Sequence, residues 1–234
     1  MALDSLVTLD QHLLMYFNGS DSLFLDHLVP LLTCGLTWIP LYVVLFFLVV
    51  KNNETMMQIC LILGCTFLCI LLSGGVDDGI VKPLVGRLRP TNDPMLKYAV
   101  DVVDNTRGVG FSFFSAHAAN TMALAVFVSW LVRDRLLSIT MIFWSLLNGW
   151  TRVYLSVHYP GDVLCGWVWG VLAGSVAYLV FHRLYFKVSP RLNYVSSQYT
   201  QTGYSRVDIN IVMAMLVVIF NVVIIYSLIT LNTF

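Results

Sequence analysis

Six apolar stretches, separated by short polar or charged segments, set the layout of this chain. A helix crossing the hydrocarbon core of a bilayer needs about 20 mostly apolar residues, somewhat fewer or more with tilt. Residues 38–50 (with a start as early as residue 24), 56–72, 117–132, 136–154, 163–181 and 209–231 approach or meet that length. Pro30, Gly35 and Pro40 interrupt the first of them, which predicts an interfacial helix set apart from the span itself. Before it, residues 3–17 carry apolar residues at helical spacing with Asp4, Asp10, Gln11 and His12 between them. That is the pattern of a helix lying on a membrane surface. In the fifth stretch Gly166, Gly170 and Gly174 recur every four residues, predicting a smooth face for close helix approach. The expected fold is all-α: one domain over residues 1–234, a polytopic six-transmembrane-helix bundle with an N-terminal interfacial helix.

Composition removes the soluble alternatives. The 234 residues are 58% hydrophobic and 11% charged, with mean hydropathy +0.80, against roughly 25% charged for a soluble domain. Net charge is zero, and no basic arm offers itself to nucleic acid. The five cysteines, Cys34, Cys60, Cys65, Cys69 and Cys165, lie in apolar stretches without CxxC spacing and read as small hydrophobes. Residues 1–17 lack the basic opening of a cleavable leader, so none is expected there. Residues 184–208, which include SSQYTQTGYS, read as a mobile connector.

Charge placement then orients the bundle, because short cytoplasmic loops collect Lys and Arg. Lys51 follows the first span, Arg133 and Arg135 the third, and Arg183, Lys187, Arg191 and Arg206 lie between the fifth and sixth. These loops alternate and are assigned to the inside. The outer face receives both termini, the loop over residues 73–116 and the turn around His158. Yet the outer loop holds Lys82, Arg87, Arg89, Lys97 and Arg107, against the same rule. Its cations must have another task.

Three clusters fall on that outer face: KPLVGRLRP with Lys82 and Arg89, FSFFSAHAAN with Ser115 and His117, and TRVYLSVHYPGD with Arg152, His158 and Asp162. Lys82, Arg89 and Arg152 supply charge and forked donors suited to phosphate oxygens. Ser115 adds a hydroxyl, and a helix starting near it would present free N–H groups over residues 115–117 to an anion. Two histidines and an aspartate could instead ligate zinc, but three surrounding cations oppose a metal ion, and no dense ligand spacing such as HExxH appears. A histidine pair suits phosphoryl transfer, one attacking as neutral imidazole and one donating a proton. Asp162, four residues after His158, can hold one ring nitrogen of His158 and leave the other aimed at substrate. His158 is therefore the expected nucleophile and His117 the acid, with a bell-shaped pH profile around the histidine range.

Singly, each residue also has a plainer reading. Arg152 can snorkel, His158 can sit at the interface and Asp162 can cap a helix. Asp77 and Asp78 can balance Lys82, while Lys97, Arg107, Asp101 and Asp104 read as solvated or tuning charges. His12, His27 and His182 have no companion cluster and are assigned no chemistry.

The three clusters together resemble the signature of the type-2 phosphatidic acid phosphatase superfamily: KxxxxxxRP, then PSGH, then SRxxxxxHxxxD. Lys82, Arg89 and Pro90 match the first element, and Arg152, His158 and Asp162 match the third at every spacing, with Thr151 where serine is usual. In the middle element Ser115 and His117 remain, while Phe114 and Ala116 replace proline and glycine. The likeness covers about residues 55–185. It implies a six-helix membrane core and hydrolysis of a lipid phosphate monoester or diphosphate through a phosphohistidine, with no metal or other cofactor. Lys82, Arg89, Arg152, Ser115 and the Ala116 N–H would hold phosphate, His158 attack, His117 protonate the leaving group and Asp162 orient His158. Family substrates include phosphatidic acid, phosphatidylglycerol phosphate, isoprenyl diphosphates and lipid A, and some members transfer the group instead. The implied partners are a lipid phosphate and the bilayer, and the implied place is a bacterial inner membrane with the site on the periplasmic face. The alternative from another class is a non-catalytic phosphate- or lipid-binding membrane protein or a transporter, which would place ionisable residues mid-membrane on several helices.

Overall fold

A computed structural model describes residues 2–188 and 197–231; Arg191 and part of the predicted connector lie outside them. Among the described residues the regular elements are helices. The N-terminal helix α1 (Ala2–Phe17) presents Leu6, Leu9 and Tyr16 outward and buries Leu14. The interrupted first stretch becomes α2 (Leu23–Thr33) and α3 (Ile39–Lys51), bent by 66° across the break. Pro30 lies inside α2 and Pro40 in the first turn of α3, so the break falls at Cys34 and Gly35. Carbonyls freed there are not left bare: Trp38 Nε1 donates to Leu32 O at 2.8 Å and Thr37 Oγ1 to Leu31 O at 2.7 Å. In an apolar setting each such donor offsets a cost of several kcal/mol.

The second stretch runs further than its apolar residues suggest. Helix α4 (Met56–Ile70) opens with a reciprocal cap between Thr55 and Gln58 and continues through two wider π-type stretches, Leu71–Gly75 and Asp77–Val81, into the short α5 (Lys82–Val85). Irregular backbone of this kind needs partners from outside the helix. Trp169 Nε1 donates to Leu72 O at 2.8 Å, and Asn120 Oδ1 accepts from Gly74 N at 2.8 Å. Gly86 then ends α5 in the left-handed region, φ 63°, where a glycine is at ease. The chain turns there and carries Arg87 and Arg89 back over the bundle end.

Helices α6 (Ala116–Val132), α7 (Arg135–Tyr154), α8 (Pro160–Val188) and α9 (Arg206–Leu231) complete the bundle. The Pro160–Gly161 pair opens α8, as suits a proline whose fixed φ matches a first turn. Three helical segments are long and apolar enough to cross a membrane, Met56–Asn92, Pro160–Lys187 and Arg206–Leu231, and the bent pair makes a fourth when taken as one span. Helix α6 is apolar but only 17 residues long, and α7 does not meet the same apolarity. The charged ends sort by face. Lys51 pairs with Asp208 at 2.8 Å and Thr202 Oγ1 donates to Val132 O at 2.8 Å, which gathers the loops after α3, α6 and α8 at one end of the bundle. The three candidate clusters gather at the other.

Helix α6 packs most extensively against α8, along the predicted glycine face. A Cβ on Gly166 would meet Ser115 O at 2.7 Å, and on Gly170 would meet Ala119 O at 2.6 Å. The obstacle is backbone, which cannot swing aside like a side chain. We expect Gly170→Ala to destabilise the bundle by about 1–3 kcal/mol through overpacking. Gly64→Ala, where nothing lies within 4 Å of the added carbon, is the control. Thermal unfolding in detergent checks the pair: equal midpoints would contradict a packed α6–α8 seam.

Candidate active site

The site grows from the ends of three helices. At the C-terminus of α7 the Arg152 carbonyl accepts from both Val157 N at 3.1 Å and His158 N at 3.3 Å. The chain is thereby folded under itself, through Ser156 at φ 50°, and His158 is held 2% exposed. At the N-terminus of α8, Asp162 is fully buried and its carboxylate accepts from Tyr159 N at 3.2 Å, in the manner of an acidic residue capping its own first turn. At the N-terminus of α6, Ser115 is the extended capping residue and accepts from Ala118 N; its own hydroxyl proton stays available to donate. The Ser115 N–H donates to Asp162 O at 3.1 Å, so the starts of α6 and α8 are tied directly.

Ala116 is the first residue of α6 and is not among the residues with positive φ. Alanine in the place of the family's glycine is therefore unstrained here, and the N–H groups of Ala116 and His117 lack acceptors within the helix, as first-turn positions do.

The contacts of His158 distinguish its two ring nitrogens. Its Nε2 lies 3.2 Å from Arg89 Nη1. A guanidinium only donates, so Nε2 carries the lone pair and Nδ1 the proton. Nδ1 faces Ser112 Oγ at 3.4 Å and Asp162 Oδ2 at 3.8 Å. The second distance is beyond hydrogen-bond reach, and Ser112, whose hydroxyl donates to Asp162 Oδ2 at 2.5 Å, lies beside both groups and touches each. Arg89 is itself buried and donates to Val157 O at 2.9 Å and Val109 O at 3.1 Å. Its passage is made possible by Gly108, where any Cβ would run into the Arg89 side chain.

The remaining predicted residues surround this core. Arg152 donates from Nη1 to Thr33 Oγ1 at 2.7 Å at the end of α2, while its buried Nε has no hydrogen-bond partner. His117, exposed on the first turn of α6, has Arg152, Lys82 and Arg89 as charged neighbours and reaches the backbone of Thr33. Lys82 pairs with Asp77 at 3.0 Å and Asp78 at 2.5 Å. Buried Asp77 also accepts from Phe114 N at 3.1 Å, fixing the segment before Ser115 to the π-type stretch that leads into Lys82. The two acids thus balance Lys82, as one sequence reading allowed.

Neither Arg89 nor Arg152 forms an ion pair with a carboxylate among the described residues, unlike Lys82 and Arg87. Three residues of the network carried no sequence assignment: Ser112, Arg87 and Asp10. Arg87 Nη1 donates to Asp162 Oδ1 at 2.6 Å and its Nη2 to Asp10 Oδ2 at 2.7 Å. Arg87 was visible only as one of the outer-loop cations, Ser112 only as a polar residue in an aromatic run, and Asp10 only as a polar interruption of α1. Among the described residues no group of three or more His, Cys, Asp or Glu could hold a metal ion.

One end of this apolar helical bundle thus holds a buried histidine whose Nε2 faces the Arg89 guanidinium, with Arg152 as a further charged neighbour. Residues 58–186, which hold all three clusters, match the description of the PAP2 superfamily, and the chain belongs to that family. It is 36% identical over 183 residues to a lipid A 4'-phosphatase of Bacteroides thetaiotaomicron, covering 78% of this chain and 81% of that protein. A lipid A 4'-phosphatase of Porphyromonas gingivalis is 28% identical over 181 residues, or 76% of this chain and 75% of that protein. No solved structure gives a significant match. The protein is an integral membrane lipid phosphatase.

Burial, reinforced by Arg89 and Arg152 and opposed by Asp162, pushes the His158 imidazole down from its usual value to about 3. A depressed pKa keeps the ring neutral as pH falls, so the acid limb expected near the histidine range moves below it. After correction for the substrate phosphate, which ionises near pH 6, kcat/KM should show no acid limb between about pH 5 and 7. A limb in that window that persists after the correction would contradict a nucleophile buried in this environment.

Proposed function

We propose that the protein removes a phosphate monoester from a lipid A-type saccharolipid through a phosphohistidine on His158. The observation that carries this reading is the pair of guanidinium groups without carboxylate partners, one of them 3.2 Å from His158 Nε2. Such cations match the equatorial oxygens of a transferring phosphoryl group, whose charge they stabilise. In the first step Nε2 bonds to phosphorus, the phosphorus–oxygen bond to the sugar breaks, and His117 gives its proton to the departing oxygen. In the second, His117 takes a proton from water as that water attacks the phosphohistidine, releasing inorganic phosphate and restoring both rings. Ser115 and the Ala116 N–H add donors, Lys82 adds charge, and Asp162 acts on the Nδ1 side through Ser112.

The lipid part of the substrate is supported by an apolar cavity of about 400 Å³ between α3, α4, α6 and α7. Asn120 and Thr121 line it one turn along α6 from His117, and Leu131 and Val132 line it toward the opposite end. A tail entering from the bilayer would leave its phosphate at the end where Arg89 and Arg152 lie. The preference for a saccharolipid rests on the names of the two relatives. We place six crossings in the bilayer, with α6 and α7 crossing beside their longer neighbours, and the site on the periplasmic face of a bacterial inner membrane, opposite the Lys51–Asp208 end.

Phosphate release from a panel of lipid A, phosphatidic acid, phosphatidylglycerol phosphate and isoprenyl diphosphate, in detergent with a chelator, tests the reading. We expect lipid A to be preferred, His158→Ala to fall to background, and His117→Ala to lose about 10²–10⁴-fold, the usual contribution of a general acid. Full activity of His158→Ala would defeat the mechanism. Loss of parent activity on chelation would return the site to metal chemistry.

A further inference from the structure

Asp162 has no exposed surface, and an anion so placed needs compensation from fixed donors. One of those donors, Arg87, leads away from the predicted site toward α1. Arg87 bonds Asp162 Oδ1 with one nitrogen and Asp10 Oδ2 with another, at 2.6 and 2.7 Å. The other oxygen of Asp10 accepts from Gly161 N at 2.7 Å. Asp10 therefore grips the first cluster through Arg87 and the turn bearing Asp162 through Gly161. Arg87 is further fixed face-on to the Tyr159 ring, 3.7 Å from its centre, and Tyr159 donates to Asp93 at 3.0 Å. The two carboxylates and the guanidinium between them are all largely shielded from solvent.

We propose that α1 is part of the active site: Asp10, acting through Arg87 and the Gly161 N–H, is a positioning residue that fixes Asp162 and thereby the ring of His158. This rests on His158 being the nucleophile. The arrangement also gives the surface helix a catalytic consequence. Leu6 and Leu9 on α1 are 63% and 54% exposed, a face that the bilayer surface would cover, whereas Asp10, on the flank it shares with buried Leu14, reaches the bundle. The seat of α1 on the bundle sets where Arg87 can stand, and Arg87 sets which oxygen of Asp162 is left for Ser112 and the Nδ1 side of His158.

The test compares the full-length parent with Asp10→Asn, Arg87→Gln, the double variant and Asn18→Ala in the same phosphate-release assay, with thermal unfolding of each. Asn18 also holds α1, donating to Tyr154 O at 2.8 Å and Asp101 O at 2.9 Å, but touches none of the three charged groups. We expect Asp10→Asn and Arg87→Gln each to lower kcat by about 10- to 100-fold, the scale of a small misplacement of a reacting group. KM should stay within about twofold, because substrate contacts are untouched, while the melting point falls more in Arg87→Gln than in Asp10→Asn, because Arg87 is the donor that compensates fully buried Asp162. The double variant should be no slower than Arg87→Gln alone, since both act on one unit. Asn18→Ala should keep parent kcat. Parent kcat in Asp10→Asn, an effect confined to KM, or an equal kcat loss in Asn18→Ala would each overturn the proposal. Full activity in His158→Ala would instead defeat the phosphohistidine reading beneath it, so the two failures are distinguishable.

Discussion

A carboxylate buried at the end of a membrane bundle must be surrounded by donors, and the donors of Asp162 come from most of the elements that build the site. Arg87 arrives from the segment after α5, Ser112 from the loop before α6, and Tyr159 N from the turn before α8. The backbone carbonyl of the same residue holds Ser115 N. Leaving one of these contacts unmade would strand a charge in a medium that cannot solvate it. The need to satisfy Asp162 therefore draws three remote segments to one point. It also fixes the histidine side chain beside them.

That convergence depends on how closely α6 and α8 approach. Gly166, Gly170 and Gly174 let the backbone of α6 lie against α8, and in lipid such contact is a main source of helix association. Larger residues would separate the starts of the two helices, and with them Ser115 and Asp162. The π-type stretches after α4 serve the same end: they keep the chain helical long enough to place Lys82 beside Asp77 while Trp169 and Asn120 satisfy the irregular backbone. Packing and chemistry are continuous here.

Much of this was legible in the linear pattern because helices and phosphate chemistry both leave periodic or spaced traces. The apolar stretches located the helices of the bundle, α6 and α7 to within a residue at each end, and α1 appeared through its alternating faces. Lys82, Arg89, Arg152, Ser115, His117, His158 and Asp162 stood out because cations and histidines are costly in so apolar a chain. The start of α8 at Pro160 and the continuation of α4 through Val85 were not legible. A Pro-Gly pair is ambiguous between a break and a first turn, and π-type backbone leaves no hydrophobic period.

Asp10, Arg87 and Ser112 show the other limit. Each is an ordinary polar residue for its local surroundings, and they are separated by 77 and 25 positions along the chain. The sequence by itself determined that the chain lives in a membrane, that it is helical, and that it carries the spaced cations and histidines of its family's signature. These follow from composition, period and short-range spacing, which need no knowledge of the fold. Only the tertiary structure decided which nitrogen of His158 is free, that Ser112 touches both His158 and Asp162, and that α1 reaches Asp162 through Arg87. Those are matters of a few ångströms between distant residues, set by helix packing and by the satisfaction of one buried charge.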